Sequence, residues 1–272
     1  PRGSFPPVTD MVGGGPFQLK PGEWSDDTSM ALCLATSLTE VGRFDPRDQM
    51  LRYCRWANEG YLSSNGRCFD IGNTVQTALR RFEQTSEAFS GPTDPHLAGN
   101  GCIMRLAPIA MFCYPNRAEA IHLSGESART THGAAECIDA SRLFGGMLFR
   151  ALTGATKDDI IFGHGVEDLS TPSIQAIARG EYRSKQQGEI QGSGYVVRSL
   201  EAALWCFLRT NTFEEAILCA VNLGDDADTT GAVCGQVAGA YYGESAIPRR
   251  WLERLVMHEK IRDLADRLHA QH

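Results

Sequence analysis

Residues 25–42 read SDDTSMALCLATSLTEVG. Within them Ala31, Leu34, Ala35, Leu38 and Val41 recur at three- and four-residue spacing, which marks one face of an amphipathic helix. Gly42 supplies a stop. Asp45-Pro46 then restarts a helix, with Asp as N-cap and Pro at the first position. Further helices are predicted near residues 72–85, 101–113, 116–127, 132–152, 194–209, 213–223, 227–242 and 248–269. The stretches 88–100 and 180–194 are turn-rich in Gly and Pro, and no stretch alternates convincingly as a strand. The predicted fold class is all-α, a compact single-domain orthogonal bundle built by helix-on-helix packing.

The opening stretch to Glu23 carries Pro6, Pro7, Gly13, Gly14, Gly15, Pro16, Pro21 and Gly22, so it reads as an irregular loop on the surface or beside a site. Pro1-Arg2-Gly3-Ser4 has no leading Met and reads as a protease-site remnant or the interior of a longer chain. In 227–242, Gly231, Gly235 and Gly239 share one helix face. Each costs about 1 kcal/mol relative to Ala, so a neighbour is expected to pack close to that backbone.

The 272 residues, 42% hydrophobic and 22% charged, describe an ordinary soluble globular chain with ample core. A net charge of −7 argues against a nucleic-acid-coating protein, although a small anion can still bind at helix N-termini or a metal. The nine cysteines are scattered, with no CxxC pair. That argues against structural zinc and a disulfide framework, and fits a reducing cytoplasm. No signal peptide and no apolar run of ~18 residues is present, so no membrane contact is expected.

The chemistry is concentrated in Ser25-Asp26-Asp27-Thr28 and Gly224-Asp225-Asp226-Ala227-Asp228-Thr229-Thr230, each opening an apolar helix. Helix capping explains one acidic residue at such a place, worth about 0.3–1 kcal/mol against the dipole. It does not explain adjacent carboxylates beside a hydroxyl, twice over, because like charges repel and in a partly buried place one must take a proton. A hard divalent cation removes the conflict. Brought face to face, Asp26, Asp27, Asp226 and Asp228 with Ser25 and Thr229 would hold two ions that clamp and activate oxygens.

Ser25-Asp26-Asp27-Thr28-Ser29-Met30 resembles the (S/T)DDT motif of the ADP-ribosylglycohydrolase family, and Asp226-Ala227-Asp228-Thr229 its C-terminal DxDT motif. Gly99-Asn100-Gly101-Cys102-Ile103-Met104-Arg105-Leu106-Ala107-Pro108 resembles the family's GNGxxMRxxP segment. Thr131-His132-Gly133 and Gly192-Ser193-Gly194-Tyr195-Val196-Val197 also match, in the same order, so the resemblance spans nearly the whole chain.

The resemblance implies an all-α fold of this family's type and a binuclear Mg²⁺ or Mn²⁺ centre held by Ser25, Asp26, Asp27, Asp226, Asp228 and Thr229. It implies water attack at an anomeric carbon, releasing ADP-ribose from a modified protein side chain, with arginine the leading linkage and serine-linked or polymeric ADP-ribose behind it. Asp26, Asp27 and Asp228 would be catalytic, and Asp94 is the candidate acid/base for arginine release, although between Pro92 and Pro95 the plain reading is a turn residue. Asn100, Gly101, Cys102, His132, Gly133, Gly192, Ser193, Gly194 and Tyr195 would line the substrate cleft. In that set Tyr195 stacks on adenine, while His132 opens a helix and is as often a buried, hydrogen-bonded group. Met104 and Leu106 read as core. The family's opening helix, with a Gly-Asp-Ala-Leu-Gly-like stretch, is expected ahead of residue 1. The expected protein is a cytoplasmic monomer whose partner is an ADP-ribosylated protein or ADP-ribose. Two other readings stay open: a non-catalytic ADP-ribose-binding or structural relative, distinguished by metal content, and a metal-dependent phosphohydrolase, distinguished by releasing AMP rather than ADP-ribose.

Overall fold

Helix α1 runs Asp26–Val41 and ends at Gly42, which takes the left-handed conformation (φ 71) that glycine accepts without a Cβ clash. The chain reopens at once as α2 (Pro46–Glu59), where Asp45 accepts hydrogen bonds from the amides of Arg47 and Asp48 at 3.0 and 3.1 Å. Both ends follow the sequence expectation. The computed structural model describes residue 3 and residues 6–270, so Pro1, Arg2 and Ser4 of the opening tetrapeptide lie outside the described residues.

Eleven further helices follow: α3 (Asn73–Thr85), α4 (Ala107–Phe112), α5 (Arg117–Thr131), α6 (Ala135–Leu152), α7 (Lys157–Phe162), α8 (Pro172–Ala178), α9 (Val196–Arg209), α10 (Phe213–Val221), α11 (Ala227–Tyr242), α12 (Arg249–Leu252) and α13 (His258–His269). Among the described residues, extended pairing is limited to two isolated bridges, Gly14 with Leu19 and Gly99 with Tyr195. The fold is all-α, as predicted.

Helix α6 is the axis of the packing. It touches α4, α5, α7, α8, α9 and α11, and buries Leu143, Phe144, Met147 and Leu148. Each such side chain contributes about 1.5–3 kcal/mol of burial. Two glycines let neighbours approach it: a Cβ on Gly145 would collide with Ser124 of α5, and one on Gly146 with the backbone carbonyl of His164. The glycine stripe of α11 faces α10. A Cβ on Gly231 would sit 3.0 Å from Val221, one on Gly235 3.5 Å from Ile217, and one on Gly239 3.9 Å from Phe213. The two sets step in opposite directions, so the helices run antiparallel in close contact, as the stripe suggested.

Four boundaries differ from the sequence expectation. The stretch 101–113 divides into a 3-10 turn, Asn100–Cys102, and α4, because Pro108 fits only the first turn of a helix. The stretch 248–269 breaks before Met257, which takes a positive φ of 53. Helices α7 and α8, of six and seven residues, are too short to show a period. His132 closes α5 instead of opening the next helix, which starts at Ala135.

Candidate active site

The N-termini of α1, α3 and α11, Gly194 ahead of α9 and the turn Gly99–Gly101 meet around a cavity of about 270 Å³. Asp26, Asp226 and Thr229 line it. Ser25 is the N-cap residue of α1 and Asp226 that of α11, yet neither side chain makes a capping hydrogen bond. The capping account of the two acidic clusters therefore fails. Ser25 Oγ instead lies 2.8 Å from Asp27 Oδ2 and 2.9 Å from Asp228 Oδ2, joining clusters 203 residues apart. A hydroxyl carries one proton and can donate to only one of those oxygens at a time.

The carboxylates are crowded. Burial, then Asp27, Asp70 and Asp228, hold the Asp26 carboxyl well above its ordinary range. Burial and the charge of Asp228 push Asp27 up to about 8, against the opposing hydrogen bond from Ser25. Asp226 is raised by burial, opposed by Asn100, whose Nδ2 donates to Asp226 Oδ2 at 2.7 Å and to Ser199 Oγ at 3.2 Å. Asp27 Oδ1 is buried and has no hydrogen-bond partner. No group of three or more His, Cys, Asp or Glu side chains among the described residues stands arranged to hold a metal ion.

Asp70 belongs with this set and was missed in the sequence. It holds a left-handed φ of 60, lines the cavity, and is raised to about 6 by burial and by Asp228. It stands alone in Asp70-Ile71-Gly72 before a helix, so nothing distinguished it from an ordinary cap. Behind Gly72, Asn73 and Thr74 also line the cavity at the start of α3, whose N-cap glycine offers no capping side chain. The first amides of that helix are thus available to an anion.

The glycine-rich loops supply backbone rather than side chains. Asn100 N donates to Gly194 O at 3.0 Å, Asp226 N to Gly192 O at 2.8 Å, and Val196 N to Ala98 O at 3.0 Å. These bonds tie three of the sequence motifs together. Gly192 fits against Thr230, where a Cβ would lie 2.6 Å from its hydroxyl. Gly101 and Gly194 line the cavity; Ser193 sits half-buried between Gly192 and Gly194. Beneath the turn, the His132 ring would meet a Cβ on Gly101 at 2.8 Å. Burial, then the charge of Arg105, press His132 down to about 3, so it stays neutral and supports the turn. Arg105 is wholly buried and donates to Gly101 O and to Thr131 Oγ1, the latter at 2.6 Å. Met104 and Leu106 are core, with Met104 also touching the cavity floor.

Other expected residues are placed apart. Cys102 is wholly buried, with its thiol toward Gly99 O and Cys137 O. Gly133 packs on the Gly91-Pro92 loop, its amide donating to Pro92 O at 2.9 Å. Asp94 is exposed and accepts from His96 N at 2.9 Å, capping a 3-10 turn. Tyr195 is 38% exposed, and its hydroxyl donates to Glu136 Oε2 at 2.6 Å, which fixes the ring.

The family model for ADP-ribosylglycohydrolase matches residues 1–272. The chain belongs to the ADP-ribosylglycohydrolase family. Among its family relatives, ADP-ribosylarginine hydrolase Tri1 of Serratia proteamaculans is 44% identical over 261 residues, covering 96% of this chain and 71% of that protein. The ADP-ribosyl-[dinitrogen reductase] glycohydrolase of Rhodospirillum rubrum is 33% identical over 249 residues, covering 91% and 78%. A solved structure described as an ADP-ribosylglycohydrolase-related protein complex superposes with a TM-score of 0.84 at 42% identity, covering 100% of this chain and 89% of that one. This ADP-ribosylglycohydrolase is an enzyme that hydrolyses glycosidic bonds of ADP-ribose. Among its described residues no helix is long and apolar enough to cross a membrane.

Proposed function

We propose that this glycohydrolase cleaves the N-glycosidic bond between ADP-ribose and an arginine side chain of a modified protein, with two Mg²⁺ or Mn²⁺ ions in its site. The supporting observation is the meeting of the two acidic clusters through Ser25, with the buried Asp27 Oδ1 left without a partner. Raised carboxylates in contact are a costly arrangement that a hard cation with oxygen ligands relieves. Ser25, Asp26, Asp27, Asp226, Asp228 and Thr229 are the donors of suitable type. The relatives named as an arginine-directed hydrolase support the linkage.

When bound, the ions would supply Lewis acidity toward the terminal ribose hydroxyls and lower the pKa of a water. The chain's own groups do the rest. Asn100 orients Asp226 through its 2.7 Å hydrogen bond. The amides at the start of α3 suit the pyrophosphate. Asp70 accepts a proton from the attacking water as that water's oxygen bonds to the anomeric carbon and the carbon–nitrogen bond breaks. It then returns the proton to the departing guanidine nitrogen, so free ADP-ribose and intact arginine result. Asp94 has no part in this scheme. Tyr195, fixed at its hydroxyl, offers an exposed face to the adenine. All nine cysteines are free, which supports a reducing cytoplasmic setting.

The test is ADP-ribose release from an arginine-ADP-ribosylated protein with Mg²⁺ or Mn²⁺ and with EDTA. Metal-dependent release lost in Asp228→Ala is the expected result. Metal-loaded protein that binds ADP-ribose without releasing any from arginine would overturn the reading, and AMP as product would point to phosphoester chemistry.

A further inference from the structure

A second cavity of about 480 Å³ reaches the same carboxylates and shares Asp70 and Asp226 with the first. Its outer wall is a hairpin. Gly14 and Leu19 exchange backbone hydrogen bonds of 2.8 and 2.9 Å, and Gln18 N closes the turn on Gly15 O at 3.2 Å. Gly13 leaves no room for a Cβ, which would collide with Leu19 O, so the hairpin starts from a close-packed base. Gly22, after the hairpin, is pressed against the backbone of Arg254, and its carbonyl accepts from Val256 N at 3.1 Å. The hairpin carries Phe17, 41% exposed, whose ring lies 5.2 Å from that of Phe69, the residue before Asp70.

The two cavities differ in chemistry. The first is lined by Asp26, Asp70 and Asp226, and adds glycines, Asn100 and the opening of α3, groups that suit a pyrophosphate and a ribose. The second is lined by Asp70, Asp225, Asp226 and Asp228 together with Ser25 and the aromatic ring of Phe17, and neither cavity has a lysine or arginine in its lining. A diphosphate there would face four carboxylates, against three in the first cavity. A guanidinium is planar, weakly hydrated and always charged; it pairs with carboxylates and stacks on aromatic faces. Hydrolysis requires the bond to be broken to lie at the carboxylates, with ADP-ribose on one side and the modified side chain on the other. Cavities meeting at Asp70 and Asp226 have that layout.

We propose that the cavity beneath the 14–19 hairpin receives the arginine side chain that carries the ADP-ribose, with Phe17 stacking on its guanidinium as a specificity-determining residue. This rests on the arginine-directed function proposed above. Phe17 touches the leaving side chain only, so it contributes to binding modified arginine and not to holding ADP-ribose.

The experiment measures kcat and KM on an arginine-ADP-ribosylated peptide, and the Kd of free ADP-ribose by calorimetry, for wild type, Phe17→Ala and Phe17→Tyr, with thermal melting as the fold control. In Phe17→Ala, KM rises about five- to tenfold, as expected for one half-exposed cation–aromatic contact. kcat stays within about twofold, the ADP-ribose Kd is unchanged, and Phe17→Tyr recovers the wild-type KM. An unchanged KM in Phe17→Ala overturns the inference while leaving the proposed function intact. An ADP-ribose Kd weakened in step with KM overturns it too, by giving the hairpin cavity to ADP-ribose. If Phe17→Ala melts early, the ratio of KM to Kd in Phe17→Leu decides on the same terms. Wild type that releases nothing from arginine overturns the function itself, a result read before any variant is compared.

Discussion

Ser25 and Asp228, 203 positions apart in the chain, share a hydrogen bond of 2.9 Å. It is the point at which the start of α1 meets the start of α11, and the same hydroxyl also reaches Asp27. Ser25→Ala should therefore lower metal-dependent release of ADP-ribose by about ten- to a hundredfold, since it removes both an oxygen donor and the bonds that orient Asp27 and Asp228. Ser25→Thr keeps the hydroxyl and should stay close to wild type. Steady-state rates at fixed Mn²⁺ check both, and equal loss in the two variants would show that shape, not the hydroxyl, matters.

The crowded carboxylates make the metal-free protein sensitive to alkali. Asp27 and Asp70 have folded pKa values of about 8 and about 6, above the ordinary 3.8 of an unfolded aspartate. A raised carboxyl keeps its proton in the fold while the unfolded chain gives it up. Its contribution to stability is thus full below pH 3.8 and is lost as pH rises toward the folded value. In EDTA, melting temperature should fall between pH 5 and pH 8, and Mn²⁺ should raise it more at pH 8 than at pH 5. Thermal scans across that range test it; a melting temperature that climbs with pH in EDTA would contradict it.

Asp70 titrating near 6 gives the rate an acid limb. Activity should rise with pH as Asp70 loses its proton, with a midpoint at or below about 6, since bound cations favour the charged form. Asp70→Asn should lose about a hundredfold or more in kcat and the limb with it. A pH–rate profile of kcat/KM reads both effects.

The glycines of α11 and α6 should respond oppositely to alanine. A Cβ at Gly239 meets Phe213 at the ordinary contact distance of 3.9 Å. Gly239→Ala should therefore stabilise by about 0.5–1 kcal/mol through helix propensity. Gly146→Ala would drive a methyl into the His164 carbonyl and should cost about 1–3 kcal/mol. Urea unfolding of the two variants would separate them, and destabilisation by Gly239→Ala would mean that the α10–α11 contact is tighter than described.

Legibility in the sequence followed the length and doubling of the signal. Long periodic helices such as α1 and α11 could be read, and the paired acidic clusters announced themselves because capping cannot use so many carboxylates. Asp70 could not be read, since a lone Asp before a helix is what capping supplies. His132 was placed at the wrong end of a helix because the break between α5 and α6 falls at residues 132–134, a few residues later than the predicted gap. Gly133 and Cys102 sit in motifs near the site, yet their own contacts are with neighbouring backbone. A motif marks a segment, and only the packed fold tells which of its members face the cavity.

The segment before the hairpin has a consequence for colloidal behaviour. Val8 is clipped to Asn222 by bonds of 2.7 and 2.8 Å, and Asp10 accepts from the Trp251 indole at 2.6 Å. With Met11 and Val12, it forms one wall of an apolar groove whose other wall is Ile217, Leu218, Val221 and Trp251. Trp251 is buried and Ile217, Leu218 and Val221 are half-buried beside a strip that contributes no helix of its own. Loosening the clips would bare a sticky flank directly beside Asp228, so self-association and loss of catalysis would set in together, from a single local detachment.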